Sequence, residues 1–247
     1  MEVNVLKYHK IKYYQLIMMK KRGYILSDFE ELVINSSPEE SMHYFLKFYL
    51  EKAQSAKLVI ESQLNAVYYH RKFSKNTVRV IYIETSPDDN QIKKDKSEQI
   101  LSTIQDDPGN NHFILISSIK FTAATFKDLS DLNTGIVASS DENIARYWIE
   151  FFLHEELLYD PTVHVLLQPS YELLSVKDSK AYLAKIKKDS NKLLNFRIDD
   201  PSIKFLGGRA GQIVRLVRRL PYISQVSEDL VHRIIINETI RVDPKKK

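Results

Sequence analysis

Three places in the sequence hold residues whose types and spacing could do chemistry. "GGRAG" gathers Gly207, Gly208 and Gly211 in a chain with only six glycines, and a glycine loop can cradle a phosphate. His154 stands beside Glu155 and Glu156, three side chains able to bind a metal. "SPDDN" (Ser86–Asn90) and "DSK" (Asp178–Lys180) carry a Pro-Asp…Asp-x-Lys pattern, in which the carboxylates can share a metal ion for phosphodiester cleavage. Each meets an objection in its surroundings. A phosphate loop leads from a strand into a helix, whose N-terminus holds the anion. This one leads into "QIVRLVRR", a predicted strand, and lacks the GxGxxG and GxxxxGK[ST] spacings. Neighbours on a helix point in different directions, and no second ligand stands four residues beyond His154. Carboxylates that share a metal must meet in space, whereas Asp178 falls at the start of a predicted helix, in what reads as the other domain. There is no cysteine and no nucleophile elbow, so neither a Cys-His nor a Ser-His-Asp arrangement can be argued.

The 247 residues allow one large domain or two modest ones. With 43% hydrophobic and 28% charged residues the chain can build a core. The net charge of +4 permits a nucleic-acid partner without requiring one. The absence of cysteine excludes a disulfide scaffold and cysteine zinc sites. No apolar signal core or membrane-length apolar stretch is visible, so a soluble intracellular protein is the expectation. The single Trp148 and the fourteen tyrosines are read as core rather than as stacking platforms.

The elements that would position these residues can be sketched. A helix runs through "YYQLIMMKKRGYIL", with Lys20, Lys21 and Arg22 in its last turn and Gly23 as its left-handed stop. In "SSPEESMHYFLKFYLEKAQ" Ser37 caps, Pro38 opens the helix and Glu40 closes a capping box. "VRVIYIET" (Val78–Thr85) and "HFILISS" (His112–Ser118) are predicted strands, with a helix in "SEQILSTIQDD" between them. The second strand is a continuous apolar run, which suits a sheet covered by helices. "ARYWIEFFLHEELLYDP" is predicted as a helix followed by an extended stretch, broken at Asp160-Pro161. "HVLLQPSYELLS" is predicted extended, and "VKDSKAYLAKIKKDSNKLLNF" is a short amphipathic helix with its exit. Asp200-Pro201 starts a turn, "SIKFL" is a short helical or 3₁₀ segment, Gly207 ends it, and Gly211 makes the tight entry to the next strand. "LVHRIIIN" (Leu230–Asn237) is a closing strand. The expectation is an α/β (α+β) protein of two domains, 1–158 and 159–247: a helix-covered sheet, then a small α/β domain. Arg215, Arg218 and Arg219 lie along a strand, either as a paired basic edge or as a charged docking face.

A resemblance rests on these residues. The pattern D-P, five residues, G, three residues, G-x-[IV]-V-[KR]-[IL]-x-R stands here as Asp200, Pro201, Gly207, Gly211, Ile213, Val214, Arg215, Leu216 and Arg218. It resembles the signature of subunit 5 of eukaryotic-type nuclear RNA polymerases and of its archaeal counterpart. The family's closing Tyr-Arg-Ile appears as His232, Arg233 and Ile234, and its H-x-L-V-P-x-H as "VLLQPSY", with Leu167, Pro169 and Tyr171 in step. Val165 and Tyr171 replace the two motif histidines, and Leu194 replaces a proline. Arg22, Gly23 and Tyr24, with the two central strands, resemble the N-terminal half of the eukaryotic protein. The archaeal counterpart consists of the C-terminal half alone, so having both halves is similar to the eukaryotic version or to that of a large DNA virus.

The resemblance implies a non-catalytic subunit that needs no cofactor and no metal. Its C-terminal domain would dock on the largest polymerase subunit through Pro169, Asp200, Pro201, Gly207, Gly211, Val214, Arg215, Arg218 and Arg233, among other core subunits. Its N-terminal domain would form part of the lower jaw beside downstream duplex DNA. There the family has a Thr-Pro-Ser-Ala segment, here Thr122 to Thr125 without the proline, flanked by Lys120 and Lys127, which could touch phosphate without reading sequence. A solvated loop is the plain alternative. No membrane and no self-association are implied. The place of work would be the nucleus for a cellular source, or the virion and host cytoplasm for a viral one. Two other functions stay open: a free-standing transcription adaptor of this fold, and a metal-dependent nuclease.

Overall fold

The computed structural model describes residues 2–51, 60–73, 76–85, 90–92, 94–107, 109–125, 129, 147–163, 170–186, 193–219 and 228–236. Contacts divide the chain into two compact units, Met1–Tyr159 and Asp160–Lys247.

The first unit opens with α1 (Glu2–Lys21), which begins well before the tyrosine-rich stretch where the sequence predicts a helix. Gly23 stops it at φ 84°, a left-handed turn that glycine adopts without strain. A further helix follows, α2 (Asp28–Asn35), fixed by a capping box between Ser27 and Glu30. Helix α3 (Pro38–Phe45) starts as expected, with Ser37 capping, Pro38 at the first position and Glu40 closing the box. It runs on through a π-helical turn, Leu46–Leu50. Helix α4 is short (Ile60–Leu64).

The sheet of this unit has the order β1-β2-β4-β6. Strands β1 (Ala66–Tyr69) and β2 (Thr77–Tyr82) form an antiparallel hairpin, and β2, β4 (His112–Ser117) and β6 (Trp148–Leu153) run parallel. All six residues of β4 are buried, as its apolar run requires of a strand covered on both faces. Phe113, Leu115 and Ile149 pack with Ile100 and Ile104 of α5 (Lys94–Gln105). On the other face Tyr68 and Tyr82 meet Lys12 and Gln15 of α1. A small parallel pair, β3 (Gln91–Ile92) and β5 (Lys120–Phe121), joins the α5 side.

Strand β6 corrects the expectation of a helix in "ARYWIEFFLHEELLYDP". The described part is a strand, Trp148–Leu153, followed by a 3₁₀ turn, His154–Leu157. A short apolar run does not distinguish helix from strand by period, and here the aromatic and β-branched residues pair along β4.

The second unit is a four-stranded sheet of order β7-β9-β10-β8. Its elements are β7 (Ser170–Leu173), α6 (Val176–Ile186), β8 (Leu194–Arg197), α7 (Pro201–Leu206), β9 (Ile213–Arg219) and β10 (Glu228–Ile236). Strand β8 is parallel to β10, and the other pairs are antiparallel. Ile203 of α7, Val214 of β9 and Ile235 of β10 form the centre, with Leu173 and Phe196 against it. Among the described residues no helix is long and apolar enough to cross a membrane.

Candidate functional site

The turn from Asp200 to Gly211 is clamped at every step. Asp200 caps α7, its carboxylate accepting from the N–H of Ser202 at 2.9 Å and of Ile203 at 3.4 Å. Pro201 takes the first helical position, where no N–H is needed. At the far end Gly207 is left-handed at φ 71°. Its N–H donates to the carbonyl of Lys204 at 3.1 Å, and that of Gly208 donates to Ile203 at 3.0 Å, the paired bonds of a Schellman stop. Gly208 serves a different need. A Cβ there would lie 2.6 Å from both Ile203 Cγ2 and Ile235 Cδ1, so the absence of a side chain lets the turn close onto β10. Gly211 is again left-handed, at φ 85°, and its N–H donates to the carbonyl of Ile235 at 2.9 Å. That bond extends the β9–β10 ladder beyond Ile213. Gln212 ties the turn to its neighbours: its Oε1 accepts from Arg209 N–H at 2.7 Å and its Nε2 donates to Leu174 O at 3.0 Å. The glycine cluster is thus a rigid turn that leads into a strand.

The named residues of the sheet divide between its two faces. Val214 is wholly buried in the core. Arg233 lies opposite it in register, its guanidinium over the ring of Phe196 at 4.8 Å. Arg215, one residue on, points the other way and pairs with Glu172 of β7 at 3.0 Å. His232, opposite Arg215, stacks on Tyr182 of α6 at 4.6 Å. Arg218 is placed in register with Asp229. Pro169 lies outside the described residues. Leu194, on edge strand β8 beside Arg233, is 61% exposed.

In the first unit, Lys120 is exposed on β5. Thr122 is engaged internally: its hydroxyl accepts from Thr125 N–H at 3.2 Å and lies 2.9 Å from the Thr125 hydroxyl, which in turn meets Ser97. Lys127 lies outside the described residues. The Arg-Gly-Tyr turn has a clear structural task. Arg22 grips Glu150 of β6 with two nitrogens, at 2.7 and 2.8 Å, and His112 Nε2 reaches the same carboxylate at 2.7 Å. Burial alone would raise the Glu150 pKa, but Arg22 and His112 outweigh it and hold the group down at about 2. Tyr24 OH meets the other nitrogen of His112 at 3.2 Å. The sequence signal for this network was a lone acid within the apolar run of β6.

Among the described residues neither the phosphate cradle nor the His154 cluster finds its geometry, and the Pro-Asp half of the nuclease pattern lies outside them. His154 is buried edge-on to Tyr8, and burial with Lys7 nearby pushes its pKa down to about 4. Glu155 is exposed, and Glu156 folds back to accept from Leu153 N–H at 2.7 Å. Asp178 accepts from the hydroxyl of Ser175 at the start of α6, and residues 86–89 lie outside the described part. Among the described residues no group of three or more His, Asp or Glu could hold a metal ion.

A small mixed sheet with a Schellman-stopped helix and a glycine turn, preceded by a helix-covered sheet, defines a two-unit α+β protein. Comparison with known proteins gives the class a name. Residues 159–233 match the family model described as RNA polymerase Rpb5, C-terminal domain. The DNA-directed RNA polymerase subunit Rpo5 of Staphylothermus marinus is 33% identical over 81 residues, which are 33% of this chain and 84% of that protein. That of Pyrococcus horikoshii is 40% identical over 58 residues, 24% of this chain and 70% of the relative. The subunit RPABC1 of DNA-directed RNA polymerases I, II and III of Caenorhabditis elegans is 26% identical over 137 residues, 48% of this chain and 64% of that protein. That stretch exceeds the second unit, so the likeness extends into the first. The chain belongs to the RNA polymerase subunit 5 family.

Proposed function

We propose that this protein is a subunit of a multisubunit DNA-directed RNA polymerase that contributes architecture and no chemistry. The second unit docks on the largest subunit, and the first forms part of the lower jaw beside downstream duplex DNA. The observation that carries the reading is the coincidence of the family match with the Asp200–Gly211 turn. Two left-handed glycines and a capped helix hold a rigid shape there, which suits a surface that must be preorganised to bind. Lys120 near the Thr122 turn supplies charge for phosphate without the means to read bases. The place of work follows the polymerase: the nucleus in a cellular source, the virion and host cytoplasm in a viral one.

Affinity purification of the tagged chain from its source at moderate salt, with mass spectrometry of what accompanies it, tests this. Two very large polymerase subunits should accompany it near one to one, and the others distinguish nucleus from virus. Recovery of the chain alone, or with unrelated transcription factors, would instead make it a free-standing adaptor.

A further inference from the structure

The tip of the β1–β2 hairpin has a chemistry that docking and jaw roles leave unused. From Ser62 to Ile83 the chain has no acidic residue, while Arg71, Lys72, Lys75 and Arg79 are basic. Arg79 is held by Asp107 at 2.8 Å, and Lys75 lies outside the described residues. Arg71 and Lys72 are exposed. The fold adds a second basic run from far away in sequence. Arg71 N–H donates to the carbonyl of Gly23 at 2.9 Å, which sets Arg71 and Lys72 beside the turn that follows the exposed Lys20 and Lys21. Glu31, which pairs with Lys20 at 2.7 Å, offsets one of these charges.

Large rings are exposed amid this charge. Tyr69 is 57% and Phe73 58% exposed. Phe73 is not loose. Its ring stacks on His70 with centroids 5.1 Å apart and planes 30° apart. His70 is itself locked: its Nδ1 accepts from the N–H of Lys72 at 3.1 Å and of Phe73 at 3.2 Å, and Tyr24 packs edge-on to its ring. Gly23 leaves room for that imidazole, since a Cβ there would lie 3.1 Å from its Nε2. An aromatic ring fixed in place, exposed and flanked by Arg and Lys, is what an unpaired base needs: a π-face to stack on and cations for the adjoining phosphates. A base within a duplex is already stacked and gains nothing from such a ring.

We propose that this hairpin tip binds single-stranded nucleic acid, with Phe73 and Tyr69 stacking on bases and Arg71 and Lys72 contacting phosphates. The site lies wholly within the first unit, so its success or failure is independent of co-purification with a polymerase.

The test is fluorescence anisotropy of the purified full-length chain with labelled oligouridylate, oligothymidylate and a duplex of equal length, across a salt titration. Both single strands should bind more tightly than the duplex, and a preference between them assigns RNA or DNA. Phe73→Ala should weaken binding roughly ten-fold with little change in salt slope, and Phe73→Leu should do the same, because bulk without a ring does not stack. The double change Arg71→Ala/Lys72→Ala should lower the log–log salt slope by about 1.4. Thermal melts confirm that the variants fold. Duplex binding as tight as single-strand binding, with no effect of Phe73→Ala, would reduce the patch to diffuse charge and overturn the proposal. So would failure to bind any oligonucleotide, or Phe73-dependent binding of a glutamate-rich peptide in its place.

Discussion

Gly208 and Gly211 separate two reasons for which a chain uses glycine. At Gly211 a Cβ would meet nothing within 4 Å, so crowding has no part, and the left-handed φ of 85° alone forbids a branched side chain. Gly211→Val should therefore cost about 1–3 kcal/mol, read as a lower melting point of the full chain, and should reduce its recovery with polymerase subunits. At Gly208 the fault would be overpacking, and Gly208→Ala should cost a similar ~1–3 kcal/mol through Ile203 and Ile235. An unchanged melting point for Gly211→Val would mean that the turn takes another shape. This loop was legible in the sequence because glycine and an Asp-Pro pair have local physical meaning, although the capping role of Asp200 was not. The role of Gly208 was less so, since Ile235 approaches it only through the fold.

At the scale of elements, strand β6 shows where local reading stops. Its apolar residues fit a helix or a strand, and only the parallel pairing to β4 decides between them. Glu150 within it is explained by Arg22, which is 128 residues away, so spacing could not reveal the pair. Helix α2 has its Ser27–Glu30 box but spans only 8 residues, too few to show a helical period. The buried Glu150 network makes two predictions. Glu150→Ala leaves Arg22 without its carboxylate at a site where the arginine side chain is 4% exposed, and should destabilise the protein by about 3–5 kcal/mol in a denaturant titration. In acid the sign follows from a depressed carboxylate pKa. The stabilisation is fully present above the ordinary value of 4.5 and is lost as pH falls through about 2. Glu150→Gln should flatten that acid limb.

Over the whole molecule, the first unit has a charged centre that acts on its alkaline side. Lys12 is fully buried, its Nζ donating to Leu64 O at 3.0 Å and Tyr68 OH at 3.2 Å, with Glu30 at 3.8 Å. Burial lowers its pKa to about 8, against the pull of Glu30, from an ordinary 10.5. Between those values the unfolded chain binds more protons than the folded one, so stability should rise with pH from about 8. Tyr68 and Tyr82 oppose this above 10, because burial raises their pKa and the unfolded chain then loses protons first. Melting points measured across this range should pass through a maximum, and Lys12→Met should abolish the rising side. The helix-covered sheet and the order of many elements were legible from apolar runs and caps; the buried lysine was not, because its cage comes from α1, α2, α4 and β1 together.

The central claim is that the second unit carries the docking surface. Cross-linking mass spectrometry of the purified native assembly tests it most directly, because Lys177, Lys180 and Lys185 lie exposed on α6. The account predicts cross-links from these lysines to the largest polymerase subunit. Cross-links to that subunit only from lysines of the first unit, or none to any polymerase subunit, would contradict it.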